Sequence, residues 1–160
     1  QQTIMIYKSI LLFLFSFFLI GTSNSFGQCG KLKKKRINQL LGAAQYDNAK
    51  SSDIITFAGT YKEEYQINLF KDMVYKMVFD ATKMPEGVVI KLVDLGKKRG
   101  VSKYEEVFNS DSTEITPNGT YEVTMEFPQR KMMVIYEIGE DTKPGCVSFV
   151  LGYYFRNNIK

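Results

Sequence analysis

Histidine is absent from this chain of 160 residues, which excludes the Ser-His-Asp and Cys-His nucleophile systems and every His-containing zinc site. General acid and base work then falls to carboxylates. Glu63 and Glu64, Glu105 and Glu106, and Glu140 and Asp141 are adjacent pairs. Neighbours along a strand point to opposite faces, so no such pair converges on one bond. They read as solvated surface, and a small carboxylate-dependent hydrolase, needing two acids from different strands in one cleft, is the most distant functional alternative. Calcium calls for several oxygen ligands from a compact loop, and no Asp-x-Asp-x-Asp-Gly run occurs. Asp80, Asp94 and Asp141 fall where predicted strands end and read as turn caps. The glycines form neither Gly-x-Gly-x-x-Gly nor a P-loop. The sequence therefore predicts no catalytic residue, no metal ligand and no cofactor.

Aromatic residues offer the remaining chemistry. There are ten Tyr, twelve Phe and no Trp. Tyr61 and Tyr65 share one strand face, while Tyr153 and Tyr154 straddle two. Exposed, coplanar rings at Tyr61, Tyr65 or Tyr153 would stack on sugars and make this a carbohydrate-binding module. Without Trp, the favoured reading is a core and rim whose hydroxyls reach solvent. Asn118-Gly-Thr120 fits both a glycosylation acceptor and a tight turn, and the turn is preferred.

Two cysteines, Cys29 and Cys146, stand at opposite ends of the folded part. Before the first lies Met5-Ile-Tyr-Lys8 and then an almost wholly apolar run to Ile20, about a dozen residues, too short for the roughly 20 of a bilayer-spanning helix. This reads as a signal peptide. Ser25 and Gly27 suit cleavage after Gly27, with residues 1–4 an upstream extension, and no stable membrane span is expected after cleavage. An exported chain meets an oxidising environment, and two cysteines allow one pairing, so a Cys29–Cys146 disulfide is expected. The alternatives are two unpaired thiols and lipidation of Cys29. Gln28, where a lipobox has a small residue, argues against the latter. The expected location is periplasmic or extracellular.

The charge is uneven. The formal net charge is +4. Setting aside Lys8 and the five cations of Lys31-Leu-Lys-Lys-Lys-Arg36 leaves 15 basic against 17 acidic residues, a net of −2. That balance has no broad basic footprint, so nucleic acid is not an expected partner. The basic run reads as the solvated first turn of a helix or a flexible arm, with contact to anionic lipid or polymer as the functional alternative.

The elements that position these residues follow from periodicity. Ile37, Leu40, Leu41 and Ala44 recur at helical spacing, predicting one short helix within 31–44, weakened by Gly42. Residues 46–53 are polar and read as turn. Beyond them everything reads as strand and turn. Tyr121, Val123, Met125 and Phe127 alternate with polar residues between Pro117-Asn-Gly119 and Pro128, which predicts a half-buried strand over 120–127. Further strands are expected over 54–57, 61–69, 73–80, 88–94, 103–108, 131–138 and 146–155. No spacer is long enough for a crossover helix. The expected fold is therefore a mainly β, antiparallel two-layer β-sandwich of about eight strands, with the helix covering one end or edge. The expected boundaries are a signal peptide over 1–27, helix and linker over 28–52, and sandwich over 53–160.

Tyr65-Gln-Ile-Asn-Leu69, Met73-Val-Tyr75, Val88-Val-Ile-Lys-Leu-Val-Asp94 and Thr116-Pro-Asn-Gly-Thr-Tyr-Glu-Val123 resemble the jelly-roll sandwiches of bacterial pre-peptidase C-terminal domains, with their Leu-x-Asp turn and late Gly-Thr-Tyr-x-Val strand. Pro144-Gly-Cys-Val-Ser-Phe-Val-Leu-Gly152 resembles small secreted Bacteroidetes proteins without assigned function. The resemblance implies a non-catalytic exported module and carries over no site residue. The function expected is binding or structural support at the bacterial envelope, with an envelope protein or polysaccharide as partner.

Overall fold

The structure, a computed structural model, describes residues 29–56, 58–98, 101–102, 104–126 and 131–156. The expected signal peptide lies outside the described residues, as do Phe57, Lys103 and Phe127. Helix α1 spans Lys34–Leu41. It is followed by β1 (Gln45–Ile54), β2 (Tyr61–Asn68), β3 (Met73–Lys83), β4 (Val88–Asp94), the short β5 (Lys97–Lys98) and β6 (Val101–Ser102), and β7 (Glu105–Asn109). A 3-10 turn at Ser110–Ser112 leads to β8 (Thr120–Met125), β9 (Lys131–Ile138) and β10 (Gly145–Phe155).

Eight strands form two antiparallel four-stranded sheets, ordered β1-β10-β3-β8 and β2-β9-β4-β7, and β5 pairs with β6 as a small hairpin. Consecutive strands of the two sheets alternate between them, except β4 and β7, which pair with each other in the second sheet, giving the double Greek-key order of a jelly roll. The mainly β sandwich expected from the strand rhythm is therefore the observed architecture. Alternation explains the layers. In β3, Tyr75, Met77 and Phe79 face β10's Phe149 and Leu151 and the second sheet's Ile90, Leu92, Val134 and Tyr136 in one core. Phe79 stacks on Phe108 with ring centroids 5.6 Å apart, joining the sheets.

Val78 and Val150 point the other way, to the outer face of the first sheet, where Leu40, Leu41 and Ala44 cover them. The helix thus lies on a sheet face, not on an end or edge as expected. Two valines side by side on that face would otherwise meet water, and burying a Leu or Val side chain is worth about 1.5–3 kcal/mol. Gly42 is the helix stop and not a weak interior residue: its φ of 62° and ψ of −116° suit glycine, and its N–H donates to the Asn38 carbonyl.

The stretch 46–53, expected to be turn, is most of β1. It is an edge strand whose residues Gln45 to Asn48 are exposed, so side chains carry no alternation there. Its pairing is set by the backbone ladder to β10, broken by a bulge at Asp47 between Tyr46 and Asn48. The sandwich accordingly begins at Gln45, and the strand expected over 54–57 ends at Ile54.

Candidate functional site

Two polar constellations stand out, one at a sandwich seam and one beside the helix. The seam lies where edge strands β1 and β2 of the two sheets meet. Along β2, Tyr61, Glu63, Tyr65 and Ile67 share the less exposed face. Tyr65 packs against Tyr136 and, edge-on, against Phe149, each at 5.9 Å between centroids. The Tyr65 and Tyr136 hydroxyls are 3.0 Å apart. Lys50 of β1 lies 4.0 Å over the Tyr65 ring and reaches Glu63 at 3.0 Å, and the Ser52 hydroxyl donates to the same carboxylate at 2.8 Å. Burial first, then for Tyr65 the neighbouring Tyr136 and for both the Glu63 charge, push both phenols far above the ordinary tyrosine range. They stay neutral and hydrogen-bonded, so neither phenol serves as a base or a nucleophile. It satisfies polar groups along a seam that two edge strands leave open.

Tyr61 turns its hydroxyl back to the main chain of Ile55, accepting from its N–H at 3.3 Å. Tyr153 belongs to the other sheet and packs on Tyr75 and Phe155 at 6.4 and 5.5 Å. Tyr61, Tyr65 and Tyr153 all pack against the central core. The structure thus brings Tyr65 to Tyr136, not the three rings to one another, and provides no exposed row at these positions for sugar stacking. The carboxylate alternative fares similarly. Asp80 is the one buried acid among the described residues, and it is already paired. Among the described residues no three His, Cys, Asp or Glu side chains are grouped to hold a metal, and no helix is long and apolar enough to cross a membrane.

The second constellation is assembled by the N-terminal arm. Cys29 and Cys146 are disulfide-bonded, with Cα atoms 5.6 Å apart across a separation of 117 residues. The Cys29 N–H donates to the Asp53 carboxylate, which fixes the start of the arm beside β1. From there the chain runs along the outer face of the first sheet into α1. Arg36 in the first turn donates through Nε to Oδ2 of Asp80 at 2.7 Å. The other Asp80 oxygen accepts from the Thr82 hydroxyl at 2.7 Å and from the Thr82 N–H at 3.3 Å. Burial alone would raise the Asp80 carboxyl. The bonds from Arg36 and Thr82, with the guanidinium charge, outweigh it and hold the group below its ordinary value. Asp80 was expected to cap a turn; it does so through Thr82, but it also anchors the helix. Asp94 is a plain turn cap, accepting from the Gly96 N–H at 2.6 Å.

Between arm and sheet lies a cleft of about 350 Å³ lined by Lys31, Lys33, Arg36 and Lys83 together with Asp80, Thr82, Cys146 and Ser148. No acidic residue stands in the first turn of α1, and its N-cap, Lys33, makes no side-chain cap bond. The basic run expected to be a solvated first turn or arm is both: 31–33 is the arm and 34–36 the first turn. Sequence reasoning missed Arg36, Asp80 and Lys83 as a group, because nothing local links a helix cation to an acid 44 residues away. It missed Lys50 and Ser52 because their strand was read as turn.

No known family matches the chain, and no curated protein matches it either. Among solved structures it has a distant likeness to PliG, a periplasmic lysozyme inhibitor of g-type lysozyme from Aeromonas hydrophila, at 9% identity and a TM-score of 0.41, over 70% of this chain and 89% of that one.

Proposed function

We propose that the chain is an exported, non-catalytic binding module of the bacterial envelope. The observation that carries this reading is the Cys29–Cys146 disulfide, which closes the N-terminal arm onto the last strand of a jelly roll. A staple of that kind persists in oxidising compartments and is rare in the cytosol. The polar constellations support the same reading. The buried phenols at the seam are held neutral, and the buried acid is spent on a structural ion pair. The resemblance of several strands to pre-peptidase C-terminal domains fits a module of this type.

The test is the intact mass of the protein exported from its own host, with and without reduction before alkylation. A chain that takes up two alkyl groups only after reduction supports the proposal. Cysteines that alkylate without reduction overturn it, and a chain beginning at an acylated Cys29 removes the disulfide that carries it and makes the protein a membrane-tethered lipoprotein instead.

A further inference from the structure

We propose that the cleft between the N-terminal arm and the first sheet binds a phosphomonoester group, whether presented by a soluble phosphorylated sugar or by a lipid headgroup. The inference rests on the reading as a binding module and names what the module binds. The volume, about 350 Å³, lies in the range of small-ligand sites, and it leaves room beside the phosphate for an attached sugar or glycerol.

The lining sets the sign and the multiplicity of the ligand charge. Lys31, Lys33, Arg36 and Lys83 bring four cations to one cleft, against the single carboxylate of Asp80. Asp80 is satisfied by Arg36 and Thr82, so a formal +3 remains. A monocarboxylate leaves most of that uncompensated; a phosphomonoester, carrying about −1.5 to −2 at neutral pH, compensates more of it. Arg36 supplies the directional element. Its Nε is committed to Asp80, which fixes the plane of the guanidinium, and its four terminal N–H donors have no partner among the described residues. A fork held in this way suits the oxygens of a phosphate.

The basic run also explains why the site is not a general polyanion surface. Lys34 and Lys35 belong to the same run, are exposed, and do not line the cleft. The charge outside the run is net negative by sequence, so long-range attraction along a duplex or polymer has little to work with. Recognition is confined to the lysines that face the cleft.

The comparison that decides the matter pairs two double variants of equal charge. Lys33→Gln with Lys83→Gln removes two lining cations; Lys34→Gln with Lys35→Gln removes two neighbours outside the cleft. All four side chains are exposed, so both variants keep the fold, which amide spectra verify. The disulfide-bonded exported protein is titrated with inorganic phosphate, with a glucose phosphate monoester, and with phosphatidylcholine vesicles doped with phosphatidic acid. The expected result is shifts of the amides of 30–36 and 82–83 with at least one probe. Affinity falls about tenfold or more in the lining variant, because charge-assisted contacts are lost, and changes by no more than about threefold in the outer variant, whose charges are screened. Response to the sugar phosphate assigns a soluble ligand, and response to vesicles alone assigns a lipid headgroup; the lining variant abolishes either. Equal weakening of both variants, or no response to any of the three probes, overturns the site. Such a failure leaves the disulfide and export untouched, so it is separable from failure of the module reading.

Discussion

The Arg36–Asp80 pair is unequal in its surroundings: the side chains are 33% and 8% exposed, respectively. Removing Asp80 leaves a guanidinium that water can reach, whereas removing Arg36 leaves a buried carboxylate held only by Thr82. Arg36→Met is therefore expected to cost about 2–3 kcal/mol and Asp80→Asn about 1 kcal/mol, since an uncompensated buried charge is the expensive outcome. Urea unfolding of the two variants measures the difference, and equal losses would show that the pair is effectively solvated. The pH dependence has a definite sign. The folded-state Asp80 carboxyl lies below its ordinary value, so its contribution is complete above the unfolded carboxylate range near about 4 and is lost as pH falls through the lower folded value. The wild-type urea midpoint should fall more steeply in acid than that of Asp80→Asn, and the gap between them should close as pH falls through the lowered folded-state value. Glu137 is also lowered, chiefly by hydrogen bonds from Lys62 and Lys91, so both proteins keep a shared acid slope. The measured quantity is the difference between the two curves.

At the scale of elements, α1 is too short to persist alone, because helices under about 12 residues are marginal in water. It depends on a close approach to β10 at Gly152. A Cβ there would stand 2.6 Å from Cδ2 of Leu41, 2.9 Å from the carbonyl oxygen of Gln45 and 3.1 Å from Cβ of Ala44. Leu41 can shift, but the β1 backbone cannot move without disturbing its ladder to β10. Gly152→Ala should destabilise the fold by about 1–3 kcal/mol through overpacking. Amide hydrogen exchange should show the loss of protection greatest in 34–41, and unchanged exchange there would mean that the helix accommodates the methyl. This approach was not legible in the sequence, where Gly152 reads as one more small residue in a strand. Legible elements were those with one wet and one dry face. Residues 131–138 and 88–94 were expected as strands and are β9 and β4 to the residue, because their alternation or apolar run reflects burial directly. β1 was illegible for the opposite reason. Apart from buried Ser52 and Ile54 at its end, its place is set by hydrogen bonds to β10 and not by apolar alternation, so Asp47, Asn48, Ser51 and Ser52 look like turn. Of the polar clusters, the cysteines were readable because two of them allow one pairing. The seam of Lys50, Ser52, Glu63 and Tyr65 depends on which edges meet, and that is a property of the jelly-roll order alone.

At the scale of the whole molecule, the first and last long strands are hydrogen-bonded neighbours, and the disulfide adds a covalent tie between the arm before β1 and the start of β10. The pairs between β1 and β10 run from Ile54–Gly145 to Gln45–Tyr153, so this pairing closes the longest loop among those of the two sheets and carries their largest loop-closure cost. A cross-link spanning 117 residues removes much of it, up to about 4–5 kcal/mol in the chain-entropy description. The fold itself does not need the bond, because the two sheets bury a continuous core without either cysteine. Replacing both with serine should therefore give a folded protein with the same amide pattern over β3, β4, β9 and β10 and a lower urea midpoint. The slope of the transition should be steeper, since the uncrosslinked unfolded chain exposes more surface. Loss of cooperative unfolding in that variant would show instead that the arm is part of the core structure. The same protein separates staple from site. With the disulfide gone, Gly30, Lys31 and Lys33 are held beside Lys83 through α1, the Arg36–Asp80 pair and the hydrogen bond from the N–H of residue 29 to Asp53. Phosphate affinity should then fall while the sandwich remains intact. Affinity unchanged by the loss of the bond would place the burden of organising the cleft on these remaining contacts, and would make Arg36→Met the variant that abolishes it.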